Sequence, residues 1–229
     1  MPGTRPESIG VVIPVRDGER WLGEAIESAL GQDHRPTETI VVDDGSTDRS
    51  AEVAERYEGV RVLREPPRGP GAARNAGVEA SRSDLVTFLD ADDVMLPAKL
   101  SRQLAYLRAN PGSDAVMCGQ ELRIEDGVED RPWIRGGATA DAPDGILPIS
   151  VLIPAPLARR HPFDPRLTIG EDIDWLMRLR EAGVVVGTLH EPLVIRRVHE
   201  HNLSADPSEI GEGLLDIVRQ RLLRQREDG

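Results

Sequence analysis

Short apolar runs alternate with amphipathic segments along the first half of the chain. Each run holds four or five mostly apolar or β-branched residues, the pattern of a buried strand. The runs predict five strands, at 9–13, 39–42, 60–63, 85–89 and 115–118. The segments between them carry helical apolar spacing, candidate N-caps or a proline in the opening turn. They predict four helices: one over 21–30, one ending near Tyr57, one starting near Gly71, and one over 97–109.

Alternating strands and helices predict where a ligand would bind. Parallel strands need crossover helices, so the order predicts an α/β chain with a mostly parallel central sheet flanked by helices. Ligands of such sheets bind at the carboxyl ends of the strands. Six aspartates come just after predicted strand ends: Asp17, Asp43, Asp44, Asp90, Asp92 and Asp93. We therefore expect six carboxylates along one edge of the sheet.

The pattern changes after about residue 120. Residues 120–146 are polar and rich in Gly and Pro, which is typical of a hairpin or a loop. Farther along, apolar residues predict a helix that ends at Gly183 and two short strands at 184–186 and 193–195. An amphipathic C-terminal helix is predicted over 210–222.

Composition narrows the class of protein. Hydrophobic residues make up 39% of the 229 residues, which is enough for a globular core. The net charge of −12 argues against nucleic acid and anionic membranes as partners, because both attract basic surfaces. Cys118 is the one cysteine, which suits a reducing compartment. We expect no transmembrane segment and a cytoplasmic location, since no apolar run approaches roughly 20 residues and the start lacks a signal-peptide core.

The stretch LDADD, residues 89–93, is the first candidate for chemistry. Asp90 and Asp92 are two apart, so extended backbone would point both carboxylates to one side. Such a pair suits a hard divalent cation that completes its shell with water and substrate phosphates. The alternative from the residues alone is a solvated acidic turn before the next helix.

Two further stretches point to a nucleotide or another anion. In IVVDDGSTD, Asp43 and Asp44 at a strand end could accept hydrogen bonds from a base or a ribose, although Asp-Gly-Ser is also ordinary turn chemistry. In PRGPGAARNAG, Arg74 and backbone amides could lie near an anionic ligand, although a surface loop is the alternative. The chain has neither a phosphate-binding G-x-x-x-x-G-K loop nor a dinucleotide G-x-G-x-x-G fingerprint.

Five segments, in this order, resemble glycosyltransferase family 2 of the GT-A fold. They are VVIPVRDGERWLGEAIESALGQ, IVVDDGSTD, GPGAARNAG, VTFLDADD and FDPRLTIGEDIDWLMRLREAG. The resemblance covers roughly residues 8–205. It implies an inverting, metal-dependent transferase that moves a sugar from a nucleotide-diphosphate donor to an acceptor hydroxyl. A UDP-sugar is our first expectation for the donor.

The resemblance also implies which residues bind the donor. Asp44 would lie at the nucleoside and Asp90 near the ribose. The family often has an aromatic residue and Asn where this chain has Arg16 and Asp17, which is a departure at the base contact. The full implied donor set is Pro14, Val15, Asp17, Asp43, Asp44, Arg74, Asn75, Asp90 and Ala91.

A metal and a catalytic base complete the implied site. Asp92 would hold Mn²⁺ or Mg²⁺ on the diphosphate, with Asp93 and His199 as further ligands. Asp172 of GEDID would be the general base, although the same acidic stretch could simply be the first turn of a helix. An aspartate with a pKa of about 3.9 is a weak base, and we expect burial and Glu171 to raise it. His34, His161 and His190 are interpreted as structural residues, and the tryptophans as core or acceptor-edge residues.

We expect one GT-A domain over residues 1–229. Residues 8–119 would form the nucleotide-sugar-binding half, 120–205 the acceptor-binding half, and 206–229 a C-terminal helix. The acceptor stays open among a glycan, a lipid, a peptide and a natural product.

Two other functions remain as alternatives. A nucleotidyltransferase also uses carboxylates and Mg²⁺, but usually has a Gly-rich basic loop after its first strand, where this chain has VRDGER. A non-catalytic sugar-nucleotide-binding module would not need both DADD and GEDID.

Overall fold

The structure is a computed structural model that describes residues 8–128, 147–167, 169–200, 202, 219–221 and 224. Within these residues, eight strands are present: β1 (Ile9–Val15), β2 (Glu38–Asp43), β3 (Val60–Arg64), β4 (Leu85–Phe88), β5 (Val94–Met95), β6 (Ala115–Ile124), β7 (Val151–Pro154) and β8 (Val186–Val198). The α-helices whose two ends lie in the same residues are α1 (Leu22–Leu30), α2 (Ser50–Glu55), α3 (Pro70–Ala80), α4 (Lys99–Ala109), α5 (Ala155–Arg160) and α6 (Glu171–Glu181). A single 3₁₀ turn, Pro148–Ser150, precedes β7.

The strands form one sheet in the order β3-β2-β1-β4-β7-β6-β8-β5. β3, β2, β1 and β4 are parallel neighbours, and β6 is parallel to β8. β7 runs antiparallel to β4 and β6, and β5 runs antiparallel to β8. The predicted α/β class with a mostly parallel sheet is therefore confirmed.

Helices cover both faces of the sheet. Alternate residues of each strand point to opposite faces, so the strands contribute side chains to both of the layers that pack against helices. On one face, Ile13 and its β1 neighbours in alternate positions pack with α1 and α4. On the other face, Val12 and Phe88 pack with α3, α5 and α6. Gly77 of α3 sits directly on β1, where an added Cβ would lie 2.3 Å from Val12 Cγ1. This close contact holds α3, and with it Arg74, against the sheet.

All five predicted strands are present, with changes at their ends. β1 continues through Pro14 to Val15, because β4 ends opposite Val12 and leaves the proline without a partner strand on that side. β6 continues to Ile124 by pairing with β8, so residues 120–124 are not the predicted loop or hairpin. α2 ends at Glu55, two residues earlier than predicted.

The second half differs more from the sequence-based expectation. One continuous strand, β8, takes the place of the two short strands predicted at 184–186 and 193–195, and it begins only at Val186, so residues 184 and 185 are not in a strand. The register of β8 with β6 shifts at Gly119, opposite Pro192, and this irregularity lets the strand continue past a residue that has no backbone N–H. The pattern does not predict β5, which has two residues, or β7 and α5, which are short and have a proline at the end of the strand and in the first turn of the helix.

Some expectations fall on residues that the structure does not describe. They are most of the loop predicted over 120–146, and the C-terminal helix apart from residues 219–221 and 224. A bilayer-spanning helix would have to be long and apolar, and the described residues contain none.

Candidate active site

A cavity of about 690 Å³ opens at the carboxyl ends of β1 and β4. The loop after β1, the turn after β4, the start of α6 and the end of β8 all line it. Parallel strands end at the same edge of a sheet, which is why motifs far apart in sequence meet here. Predicted site residues on its wall are Pro14, Val15, Asp17, Asp44, Arg74, Asp90, Ala91, Asp92, Asp93, Asp172 and His199.

Asp92 and His199 form a polar pair on the cavity wall. Asp92 Oδ2 lies 3.0 Å from His199 Nε2 and accepts a hydrogen bond of 3.1 Å from Asn202 Nδ2. Asn202 Oδ1 also accepts a 2.6 Å hydrogen bond from the His199 backbone N–H. Sequence reasoning did not identify Asn202, although it follows His199 in the polar stretch HEHN.

The residues present fit a divalent cation that relies on its substrate for further ligands. Among the described residues, no group of three or more His, Cys, Asp or Glu side chains is placed to hold a metal. A carboxylate oxygen and an imidazole nitrogen nevertheless lie together on the cavity wall at Asp92 and His199. Mn²⁺ and Mg²⁺ commonly use few protein ligands and fill their shells with phosphate oxygens and water.

Asp90 and Asp92 lie in a turn, so the expectation of extended backbone is wrong, although both residues line the same cavity. β4 ends at Phe88, and the Asp93 N–H donates a 3.1 Å hydrogen bond to the Asp90 carbonyl. This i to i+3 geometry separates the two side chains. Asp92 meets His199, whereas Asp90 meets Arg74.

Asp93 joins the turn to β8. Its Oδ1 accepts a 2.8 Å hydrogen bond from the Arg197 backbone N–H, and Arg197 Nε donates to the Asp92 carbonyl at 2.9 Å. The Arg197 guanidinium also pairs with Glu24 and Glu125. Burial raises the pKa of Asp93 well above its usual value, and the negative charges of Asp92 and Asp90 add to this effect. Sequence reasoning did not identify Arg197.

Arg74 is buried between two carboxylates. Its guanidinium lies 2.7 Å from Asp90 Oδ1 and 2.7 Å from Glu171 Oε1. Burial alone would lower the pKa of Arg74, but the charges of Asp90 and Glu171 outweigh it and raise the pKa. Burial raises the pKa of Glu171, while Arg74 opposes that rise. Arg74 thus connects α3, the turn after β4 and the start of α6.

Asp172 lies beside Glu171 at the start of α6. Gly170 precedes the helix with a φ of 79°, in the left-handed region that glycine adopts readily. The Ile173 N–H donates a 2.8 Å hydrogen bond to Asp172 Oδ1. Burial raises the pKa of Asp172, and Asp90 adds to the rise, while the Ile173 N–H and Arg74 oppose it. A carboxylate with a raised pKa is a better proton acceptor near neutral pH.

The carboxylates of Asp44 and Asp17 are engaged by neighbouring loops. Asp44 accepts hydrogen bonds of 2.8 Å from the backbone N–H groups of Arg68 and Gly69, one on each oxygen. Asp17, at a φ of 51°, accepts one of 2.7 Å from the Thr47 N–H, which lowers the pKa of Asp17. Both residues line the cavity while they fix the shape of its rim.

Two predicted donor-binding residues do not line the cavity. Asp43 accepts a 2.9 Å hydrogen bond from the Ser46 N–H inside the turn after β2. Asn75 exchanges two hydrogen bonds with the backbone of Phe163, at 2.8 and 2.9 Å. The structure therefore gives both side chains a role in joining segments of the fold.

Two of the tryptophans are described. Trp175, a residue of α6, is fully buried in the core, as expected. Trp21 lines the cavity and stacks on His199, although we expected a core or acceptor-edge residue. Trp133 and His201 lie outside the described residues.

A family model described as "Glycosyl transferase family 2" matches residues 10–154 of the chain. An uncharacterized glycosyltransferase of Haemophilus influenzae is 38% identical over 107 residues, which are 44% of this chain and 43% of that relative. The match thus spans less than half of the relative's length.

Two solved structures are similar in fold. Glucosyl-3-phosphoglycerate synthase of Mycobacterium tuberculosis, in complex with Mn²⁺, UDP and glucosyl-3-phosphoglycerate, has a TM-score of 0.68 and 21% identity over 96% of this chain and 80% of its own. The mannosyltransferase PcManGT of Pyrobaculum calidifontis, in complex with GDP-Man and Mn²⁺, has a TM-score of 0.72 and 19% identity over 96% and 65%. At such identities the likeness shows a shared fold, and it agrees with the expected GT-A architecture.

Proposed function

The chain belongs to glycosyl transferase family 2, and from this premise we propose that it transfers a sugar from a nucleotide-diphosphate donor to the hydroxyl group of an acceptor. A UDP-sugar is the proposed donor, and inversion at the sugar carbon is the proposed stereochemical outcome. The acceptor class remains open.

One observation carries the proposal. The Asp92–His199 pair and the Asp172 carboxylate face the same cavity, and each comes from a different segment of the chain. The Asp92–His199 pair suits the leaving diphosphate, and the Asp172 carboxylate suits the attacking hydroxyl. Transfer with inversion needs both functions, on opposite sides of the sugar.

Asp92 and His199 would hold the metal, with Asn202 orienting both side chains. When bound, Mn²⁺ or Mg²⁺ would stabilise the negative charge of the diphosphate leaving group. Asp93 would act mainly through its hydrogen bond to β8, because that bond fixes the turn that carries Asp92.

Asp172 would take the proton of the acceptor hydroxyl. Glu171 is paired with Arg74, so the carboxylate of Asp172 is the better placed of the two to accept a proton. The Ile173 N–H occupies Oδ1 and orients the carboxylate. A single displacement by the deprotonated hydroxyl would invert the sugar carbon.

The nucleoside would lie against the loop after β1. Pro14, Val15, Asp17 and Asp44 border this side of the cavity, and Asp90, which is also on the wall, would lie near the ribose. The exposed Arg16 is also on this wall and can donate to carbonyl oxygens of a base. A uracil offers such oxygens. We also propose a reducing compartment such as the cytoplasm, because Cys118 is a free, buried thiol.

Release of UDP in the absence of an acceptor tests this function, since water then replaces the acceptor hydroxyl. A panel of UDP-sugars and GDP-mannose is incubated with the protein and Mn²⁺, and the free nucleoside diphosphate is measured. We expect slow, Mn²⁺-dependent UDP release from at least one donor. Asp92→Ala should reduce it by about 100-fold or more, because the metal would lose a ligand.

Asp33→Ala is the matched control, because Asp33 is exposed and outside the cavity. It should behave as wild type. Binding of a nucleotide sugar without any release would favour a non-catalytic module. Formation of a nucleotide sugar from a nucleoside triphosphate and a sugar phosphate would favour a nucleotidyltransferase. Release that is equal with Mn²⁺ and with EDTA would contradict the metal role.

A further inference from the structure

The indole of Trp21 stacks on the imidazole of His199. The ring centroids are 4.0 Å apart and the planes are inclined by 20°. The Arg20 guanidinium carbon lies 4.6 Å from the centroid of the same indole. Trp21 immediately precedes α1, at the end of the loop that follows β1. Trp21, on the proposed nucleoside side of the cavity, therefore contacts His199, which directly follows β8.

The stack adds a restraint on the imidazole of His199. An imidazole can rotate about its side-chain torsions. Two hydrogen bonds of the ring involve Nε2, which lies 3.0 Å from Asp92 Oδ2 and 3.3 Å from Asn202 Nδ2. They restrain the Nε2 edge of the ring, and the flat contact with Trp21 restrains its plane. Both restraints together aim Nε2 at the Asp92 carboxylate.

We propose that Trp21 is a positioning residue for His199 and that the affinity of the site for a divalent cation depends on its indole. This inference rests on the cation site of the proposed function. Neighbours that orient a metal ligand commonly change metal affinity by about 10- to 100-fold when they are removed. Face-to-face aromatic contacts are also sensitive to the shape of the ring.

The arrangement also predicts that nucleotide and cation binding are coupled. Trp21 follows directly on the loop Arg16–Arg20, whose first residues line the nucleoside side of the cavity. A nucleotide that orders this loop would also order Trp21 and, through it, His199. By reciprocity, the cation must then raise nucleotide affinity by the same factor.

Titration of Mn²⁺ tests the proposal without any need for turnover. Free Mn²⁺ is followed by electron paramagnetic resonance at a saturating UDP concentration, in wild type, Trp21→Leu, Trp21→Phe and His199→Ala. We expect Trp21→Leu to weaken Mn²⁺ binding by about 10-fold. Trp21→Phe keeps an aromatic face and should lose less than about threefold. Tyr57→Leu, an aromatic-to-leucine change outside the cavity, should bind Mn²⁺ as wild type.

The variants distinguish failure of this inference from failure of the proposed metal role itself. Unchanged Mn²⁺ affinity in Trp21→Leu, together with a loss in His199→Ala, overturns the positioning role alone. Unchanged affinity in His199→Ala overturns the cation site and the inference with it. Weaker UDP binding by Trp21→Leu in EDTA, with normal Mn²⁺ affinity, would make Trp21 a direct nucleotide contact and overturn the inference. Melting temperatures measured in EDTA confirm that each variant is folded.

Discussion

At the scale of single residues, Lys99 is the most unusual. It is the only lysine of the chain, whose other cationic side chains are arginine and histidine. It is fully buried at the start of α4, and its Nζ donates a 2.7 Å hydrogen bond to Thr87 Oγ1. Burial lowers the pKa of Lys99 from its usual 10.5 to about 8, although the neighbouring Cys118 thiolate would raise it. This depression corresponds to roughly 3 kcal/mol of unfavourable burial for the charged form.

Lys99→Met is expected to stabilise the protein at pH 7 by up to about 3 kcal/mol, because methionine removes the buried charge and keeps a similar shape. The folded protein loses the Lys99 proton near pH 8 and the unfolded chain near pH 10.5, so the cost of the charge fades between these values as pH rises. The advantage of the variant should shrink over the same window. Urea unfolding at several pH values measures it.

The exposed Arg35 provides a control for removing a cation. Arg35→Met should change stability little at any of these pH values. A Lys99→Met variant that is less stable than wild type at pH 7 would show that the hydrogen bond to Thr87 outweighs the cost of burial.

Asp172→Asn is expected to keep donor binding and to lose turnover. The amide oxygen can still accept the hydrogen bond of the Ile173 N–H, so the geometry should survive, but an amide cannot take a proton. Loss of a general base typically costs about 100- to 10,000-fold. Calorimetry with UDP and Mn²⁺ measures binding, and UDP release from the sugar nucleotide measures turnover.

The pH profile adds a second readout for Asp172. Burial raises the pKa of Asp172, so the wild-type rate should fall, as pH decreases, at a value above the ordinary aspartate range of about 3.9. Near-normal turnover in Asp172→Asn would remove it as the base. Asp33→Asn should leave both the rate and the profile unchanged.

At the scale of elements, Arg74 joins three parts of the chain. Arg74 lies on α3 and pairs with Asp90 and with Glu171 of α6. The helix α3 itself lies close to β1 at Gly77. The acidic first turn of α6 is favoured by the helix dipole, but burial of Glu171 needs a partner charge. The position of α6, and hence of Asp172, therefore depends on an arginine about 100 residues earlier.

Arg74→Met is expected to destabilise the protein by about 3–5 kcal/mol, because it leaves Glu171 buried without its cation. In the double variant Arg74→Met/Glu171→Gln the uncompensated charge is gone, so part of this loss should return. Guanidinium unfolding of the single and double variants measures the difference. Equal stability of the two variants, or a loss below about 1 kcal/mol for Arg74→Met, would contradict a stabilising ion pair.

At the scale of the whole molecule, the cavity lies where the two halves of the chain meet. Residues before Val94 supply the loop after β1 and the turn after β4, and residues from Leu147 onward supply the start of α6 and the end of β8. The net charge is −12, yet Arg16, Arg74, Arg196 and Arg197 all line this cavity. Arg74 and Arg197 are paired with carboxylates, and acidic side chains outnumber the arginines on the cavity wall, so an anionic ligand such as a diphosphate would need a divalent cation to bind there.

The sequence alone determined the first half of the fold. Apolar runs of period two and helical spacing depend only on neighbouring residues, so strands β1 to β4 and their helices could be read directly. The sequence also shows aspartates just after predicted strands. Because parallel strands end at one edge of the sheet, it predicted that these aspartates gather there. It missed β5 and β7, since two to four residues beside prolines carry too little periodic signal.

Only the tertiary structure decided how the individual side chains are used. The sequence could not show that Asp43 and Asn75 bind neighbouring backbone, or that a turn directs Asp90 to Arg74 and Asp92 to His199. Nor could it pair Trp21 with His199, which is 178 positions away. A pattern along the chain records local periodicity, whereas hydrogen-bond partners and ring contacts depend on which distant segments the packed sheet brings together.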